Sequence, residues 1–245
     1  MSNQILKIPE AGQKIIDSYL RMPINNKVIA CPYYTNLKKI RGGLRVFLGK
    51  APAQEIINEA KFISQKEHLD LSQLSEQELY RFMVEHNLGI DCSGLAVHIL
   101  KEVYANFPIS DNKTKKINIL KKIKIVPFYK KPFRYLISKM RPLENISVRI
   151  LADNKNSFEV NDFSDIRPGD MMIRTNLKHI YLVVKVEKEN EMIKKISYCH
   201  APRPKQKDYF GSGVIEKTVI LEKNNLEGLI EKIQDQIIIR RLNFK

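Results

Sequence analysis

Apolar residues recur along this chain with two different periods. In the first hundred residues the period is helical. Residues 11–20 set Ile15, Ile16, Tyr19 and Leu20 along one side, which predicts a short amphipathic helix. Residues 52–64 do the same with Ile56, Ile57, Ala60 and Ile63. Ser75 to His86 predicts a third helix. It opens on Ser75-Glu76-Gln77-Glu78, an S-x-x-E box in which each end satisfies a backbone N–H of the other. A fourth begins at Cys92, where Leu95, Ala96, Val97, Ile99, Leu100 and Val103 form an apolar, helix-capable run. Lys27 to Tyr34 contains a strand-like run ended by proline, and Gly42-Gly43 marks a turn before Leu44 to Leu48.

The last third changes to the period of strands. Asp165-Ile166-Arg167-Pro168-Gly169-Asp170 is a tight turn by its Pro-Gly pair. Strands are predicted over Met171–Arg174, His179–Glu187, Lys194–His200 and Gly213–Leu221, then a helix over Leu226–Ile233 and a last strand over Gln236–Leu242. No internal repeat is evident. The pattern predicts an α+β fold with N-terminal helices packed on an antiparallel sheet.

Composition changes this picture in one place. The chain is 43% hydrophobic and 28% charged, ordinary for a globular protein, but its net charge is +15. Between Asn106 and Asn145 there are eleven lysines and arginines against two acids, with Phe107, Phe128, Tyr129, Phe133 and Tyr135 interleaved. Prolines at 108, 127, 132 and 142 exclude one long helix there. The expected organisation is a single domain over 1–245, with a helical extension over about 1–88 and an inserted basic lobe over about 106–161. Such a lobe suits either a solvated face or an anionic polymer as partner.

Three cysteines, Cys31, Cys92 and Cys199, make a poor disulfide framework and suit a reducing compartment. The N-terminus lacks a basic region followed by an apolar stretch, and no run approaches the roughly 18 apolar residues of a membrane span. The expectation is a cytoplasmic protein without a transmembrane segment.

The candidate chemistry starts at Gly89-Ile90-Asp91-Cys92-Ser93-Gly94. Asp91 is a good N-cap, which puts Cys92 at the first helical position, where the helix dipole favours a thiolate. Against this stands the ordinary reading of a small buried residue at a helix start. A nucleophilic thiol needs a base and a group that orients the base. His98 lies six residues after Cys92 on the same helix and is turned away from it. His179 opens one predicted strand and His200 closes the next. An antiparallel hairpin with Glu189-Asn190 as its loop pairs Lys188 with Glu191 and sets His179 opposite His200. Cys199 then points away from the site and is expected to be buried and inert. Zinc is disfavoured, since Cys199 and His200 point to opposite faces and no C-x-x-C pair exists. No metal or cofactor is expected.

The ordered segments Asp91-Cys92-Ser93-Gly94-Leu95, Asp165-Ile166-Arg167-Pro168-Gly169-Asp170, His179-Ile180-Tyr181-Leu182 and Cys199-His200-Ala201-Pro202 resemble the motifs of the NlpC-type cysteine peptidases. These are papain-like hydrolases that typically cut peptide bonds in peptidoglycan. The resemblance implies a papain-like core, with Cys92 as nucleophile, His179 as general base and His200 as the residue that orients it. It implies that Asp91 and Ser93 help bind the substrate's amino end, and that the Cys92 N–H belongs to the oxyanion hole. An upstream tyrosine assists there in the family, and Pro32-Tyr33-Tyr34 is the nearest match, which makes Tyr33 and Tyr34 candidates. The resemblance does not extend over 106–161.

The function expected from these readings is a cysteine hydrolase that cleaves an amide through an acyl-enzyme, with a peptide or peptidoglycan-like substrate. The alternative from a different class is a nucleic-acid or anionic-polymer binding protein on a non-catalytic hydrolase scaffold, drawn from the basic insertion. A purely structural module has no positive feature in its favour.

Overall fold

Strand Ile180–Glu189 (β8) is the spine of the molecule, because three other strands pair with it. The computed structural model describes residues 3–37, 43–105, 117–125, 136, 139–204 and 212–244, with backbone alone at 107–110 and 113–115. On one side β8 pairs with Met192–His200 (β9), which in turn pairs with Ile215–Ile220 (β10). On the other side its first residues pair with Met171–Arg174 (β7) and its last with Asn3–Lys7 (β1). Ile237–Leu242 (β11) and Ser157–Glu159 (β6) complete a seven-stranded sheet beyond β7. Every pairing in it is antiparallel, and the α+β class follows.

The helical period is realised as Glu10–Leu20 (α1), Ala53–Lys66 (α2), Glu76–Glu85 (α3) and Cys92–Ala105 (α4). Ser75 caps α3 as expected: its hydroxyl accepts from the Glu78 N–H, and the Glu78 carboxylate accepts from the Ser75 N–H at 2.8 Å. One expectation is corrected, and two elements are added to those predicted. The strand after Lys27 ends at Ile29 (β3), because its partner Met22–Ile24 (β2) begins opposite it at Met22 and the Cys31 N–H turns to the Tyr19 carbonyl at 2.7 Å. Leu44 to Leu48 forms a short 3₁₀ turn over Arg45–Leu48. β1 has no counterpart in the hydrophobic pattern: its residues are mostly exposed, and its pairing to β8 holds it.

The β8–β9 register is also corrected. The loop is Asn190-Glu191, both at positive φ, and Glu189 pairs with Met192. Two offsetting irregularities then bring Leu182 opposite Cys199, so His200 sits opposite Tyr181 and one pleat repeat from His179. The difference from the expected register is two residues. An even slip preserves which face a side chain occupies, so both histidines still share one face.

Two cores flank the sheet. Ile180, Leu182, Val184, Cys199 and Ala201 pack into the larger one with Leu95, Ile99 and Leu100 of α4. Tyr181, Val183, Ile196 and Tyr198 pack on the opposite face with Leu229 of the C-terminal helix Leu226–Ile233. The larger core also takes Ile119, Ile123, Leu143, Ile146, Val148 and Leu151, from both flanks of the basic segment. Within that segment, Phe107–Ser110 (β4) and Lys113–Lys115 (β5) pair as a hairpin. Phe128, Tyr129, Phe133 and Tyr135 lie outside the described residues, as does Gly42. Among the described residues no helix is long and apolar enough to cross a membrane.

Candidate active site

Asp91 begins α4 as the sequence indicates: its Oδ1 accepts the Gly94 N–H at 2.6 Å, and its carbonyl accepts the Leu95 N–H at 3.0 Å. Cys92 is therefore the first helical residue. Gly94 is required by packing, since a Cβ there would lie 2.6 Å from the Gly49 carbonyl oxygen. That carbonyl also accepts the Asp91 N–H at 3.0 Å, so the 49–50 segment lies directly against the start of α4.

The thiol itself departs from expectation. Burial pushes it up to about 12, the neighbouring Asp91 carboxylate adds to the rise, and Lys50 together with the Ile180 and Ser93 N–H groups opposes it. Cys92 is only 6% exposed, and desolvation of a thiolate outweighs the helix dipole at that depth. The resting residue is a neutral thiol.

His179 and His200 come together at the end of the sheet where β8 begins and β9 finishes. His179 Nε2 and His200 Nδ1 are 2.8 Å apart, and both rings are buried. Tyr181 lies beside both, with ring centroids 4.7 Å from His179 and 4.6 Å from His200. Burial is the main reason both imidazoles are neutral: His179 is held down to about 4, aided by Arg174, and His200 to about 3, aided by His179. With His179 donating from Nε2, its Nδ1 is free to take a proton, and the second hydrogen of the pair sits on His200 Nε2. That atom is buried and meets no partner among the described residues. Tyr181 in turn donates its hydroxyl to the Asp235 carboxylate, which also accepts from Arg174 at 2.7 Å.

Cys92 reaches this end of the sheet from the α4 side and meets the backbone of Ile180, the neighbour of His179. Among the described residues no hydrogen bond joins the thiol to the His179 ring. Cys199 points away from the histidines into the larger core, fully buried, its thiol pushed up by desolvation. His98 is structural: its Nε2 lies 3.0 Å from the Lys50 carbonyl oxygen.

The tyrosine candidates separate. Tyr33 bridges to Ile90 in parallel, and its hydroxyl accepts from Arg203 Nε at 3.1 Å. Burial pushes it up to about 12, and a charge on Cys92 raises it further, which marks the two as neighbours. Tyr34 instead donates its hydroxyl to the Phe47 carbonyl at 2.5 Å, and its ring covers Gly49, which adopts φ +68°.

Asp91 and Ser93 are engaged inside the protein. The Lys50 ammonium, buried beneath α4, donates to Asp91 Oδ1 at 2.9 Å, to Ser93 Oγ at 2.6 Å and to the Ile146 carbonyl at 2.9 Å. Neither Lys50 nor Arg203 was legible as a site residue. Lys50 carries no spacing signal, and Arg203 offers only its place after the Cys-His-Ala-Pro segment. Among the described residues no group of three or more His, Cys, Asp or Glu side chains converges to hold a metal. Comparison with protein-family models, with curated proteins and with solved structures finds no match for this chain.

Proposed function

We propose that the chain is a papain-like thiol hydrolase that cleaves an amide through an acyl-enzyme on Cys92, with a peptidoglycan-type peptide as the first substrate class to test. The observation that carries this reading is one constellation: a cysteine at the start of a capped helix, set against Ile180, with the adjacent His179 hydrogen-bonded to His200 at 2.8 Å. In the reaction, substrate closes the contact between thiol and imidazole, as apo geometries often require. His179 removes the thiol proton as Sγ attacks the carbonyl, and His200 accepts from the imidazolium and fixes its orientation. The Cys92 N–H and the Tyr33 hydroxyl are the donors for the oxyanion. His179 then protonates the leaving amine, and water hydrolyses the thioester by the reverse path.

The test uses p-nitrophenyl acetate and intact-mass detection. The expected result is one acetyl group on Cys92, absent in Cys92→Ala and formed at least about a hundredfold more slowly in His179→Ala. Equal acetylation rates in His179→Ala and the wild-type protein sink the reading.

A second reading rests on the net charge of +15 and the eleven basic residues between Asn106 and Asn145: an anionic-polymer binding surface. Its signature is polymer binding that weakens steeply with salt and is unchanged by Cys92→Ala.

A further inference from the structure

We infer that the site selects substrates carrying a carboxylate, and not a free amine, beside the scissile amide. The inference rests on the thiol-hydrolase reading and adds a substrate class to it. Its basis is the disposition of charge around Cys92.

Two of the carboxylates among the described residues near the site, Asp91 and Asp235, are each already matched. Asp91 is held by the buried Lys50 ammonium at 2.9 Å and caps α4 with the same oxygen. Asp235 accepts from Arg174 at 2.7 Å and from the Tyr181 hydroxyl. An ammonium group entering the site therefore finds neither Asp91 nor Asp235 without a counter-charge. Ser93 offers no compensation, because its hydroxyl accepts from Lys50 and donates toward Asp91.

The opposite charge is available. Arg203 is exposed, and its Nε donates to the Tyr33 hydroxyl at 3.1 Å while its guanidinium carbon lies 5.7 Å from the Tyr33 ring centroid. These contacts hold the side chain beside Tyr33, and among the described residues no carboxylate pairs with it. Its charge is felt at Cys92, Asp91 and His179 alike. A planar guanidinium fixed through Nε presents its Nη groups as a two-pronged donor, the geometry that suits a carboxylate.

The test compares three alkylating probes at Cys92 at pH 9 and low salt: iodoacetate (anionic), iodoacetamide (neutral) and 2-bromoethylamine (cationic). In each case the sulfur–carbon bond forms as the carbon–halogen bond breaks, halide leaves, and the thiol proton passes to solvent. Rates are divided by those of N-acetylcysteine. The expected result is an iodoacetate-to-iodoacetamide ratio above that of the free thiol, falling about threefold in Arg203→Gln. Lys61→Gln, an exposed change on α2, leaves the ratio unchanged. A ratio indifferent to Arg203→Gln, or a preference for the cationic probe, overturns the inference. If Cys92 resists all three probes because of its burial, the acetylation test alone decides the hydrolase reading, and the anion site is judged separately. In Cys92→Ala protein, N-acetylglycine should shift the Arg203 Nε–H resonance, and no shift overturns the site.

Discussion

Lys50 Nζ lies 2.9 Å from Asp91 Oδ1, directly behind the candidate nucleophile, and its side chain is 6% exposed. An ammonium at that depth persists only if its three hydrogens are satisfied, and here Asp91, Ser93 and the Ile146 carbonyl satisfy them. The lysine thus fastens the start of α4 to the chain returning from the basic segment, and it offsets the Asp91 charge that opposes a Cys92 thiolate. Lys50→Met removes the cation and strands three acceptors. The expected cost is about 3 kcal/mol of unfolding free energy, read from urea titration. Combining it with Asp91→Asn should recover part of that loss in a double-mutant cycle. A cost under about 1 kcal/mol, with no coupling, contradicts a structural role for the pair.

The histidine pair makes stability depend on pH in a defined direction. His179 is held down to about 4 and His200 to about 3, against an unfolded value near 6.5. Below about pH 6.5 the unfolded chain therefore binds protons that the folded chain refuses, so stability falls as pH falls. The loss runs from about pH 6.5 down to the folded values and is complete below them. The urea midpoint should decline between pH 6.5 and 5, where carboxylates contribute least, and the slope should flatten in the His179→Gln, His200→Gln double variant. His98, also lowered by burial, remains in both proteins and sets the residual slope. An unchanged slope means that the pair is not buried as neutral rings.

Cys92 should behave at rest as a thiol. Burial pushes it up to about 12, so alkylation by iodoacetamide should be slower than for N-acetylcysteine at neutral pH. The rate should climb through pH 9 without a plateau. An inflection below pH 8 instead indicates a preformed thiolate–imidazolium pair and a site more open than this one. The neutral pair is compatible with the proposed mechanism, in which His179 would remove the proton in the same step as attack and no standing thiolate is needed.

The elements that the sequence foretold were those with a strong local period. α1 to α4, the strand over Met171–Arg174 and the helix over Leu226–Ile233 all follow from spacing and caps. What it misplaced depended on partners far along the chain. β1 exists because β8 has an open side, which nothing between Asn3 and Lys7 announces. The hairpin loop fell one residue away from its expected place, and the expected pairing of His179 with His200 was off by two. The histidines still met because the strand period of two forgives an even error. The acidity of Cys92 went astray for another reason: the N-cap was visible, but the depth of burial was not. Lys50 shows the same gap: it stands between Leu48-Gly49 and Ala51-Pro52, and a single lysine in such a stretch reads as a solvated charge until the fold brings Asp91, Ser93 and the Ile146 carbonyl around it.

Asp170 is fully buried and accepts from Arg241 Nε at 2.7 Å, from Arg241 Nη2 at 2.8 Å and from the Arg167 N–H at 2.9 Å. Its backbone carbonyl accepts the Val183 N–H at 2.9 Å, and the Val183 carbonyl accepts the Gly169 N–H at 2.8 Å. The Pro168-Gly169-Asp170 turn therefore sets where β8 begins relative to β7 and β11, and with it where His179 stands. Arg241→Met leaves a buried carboxylate without its cation and should cost about 3–5 kcal/mol. Arg241→Lys keeps the charge but loses the two-pronged geometry, so it should fall between that variant and the wild-type protein. Lys14→Met removes the exposed pair with Glu10 and should leave the urea midpoint unchanged. The acetylation rate of Cys92 separates anchoring from a purely local role. It should drop in Arg241→Lys even under conditions where that variant is fully folded, because a turn that yields moves His179. A folded Arg241→Lys protein that acetylates at the wild-type rate shows that the turn stabilises the sheet without positioning the base.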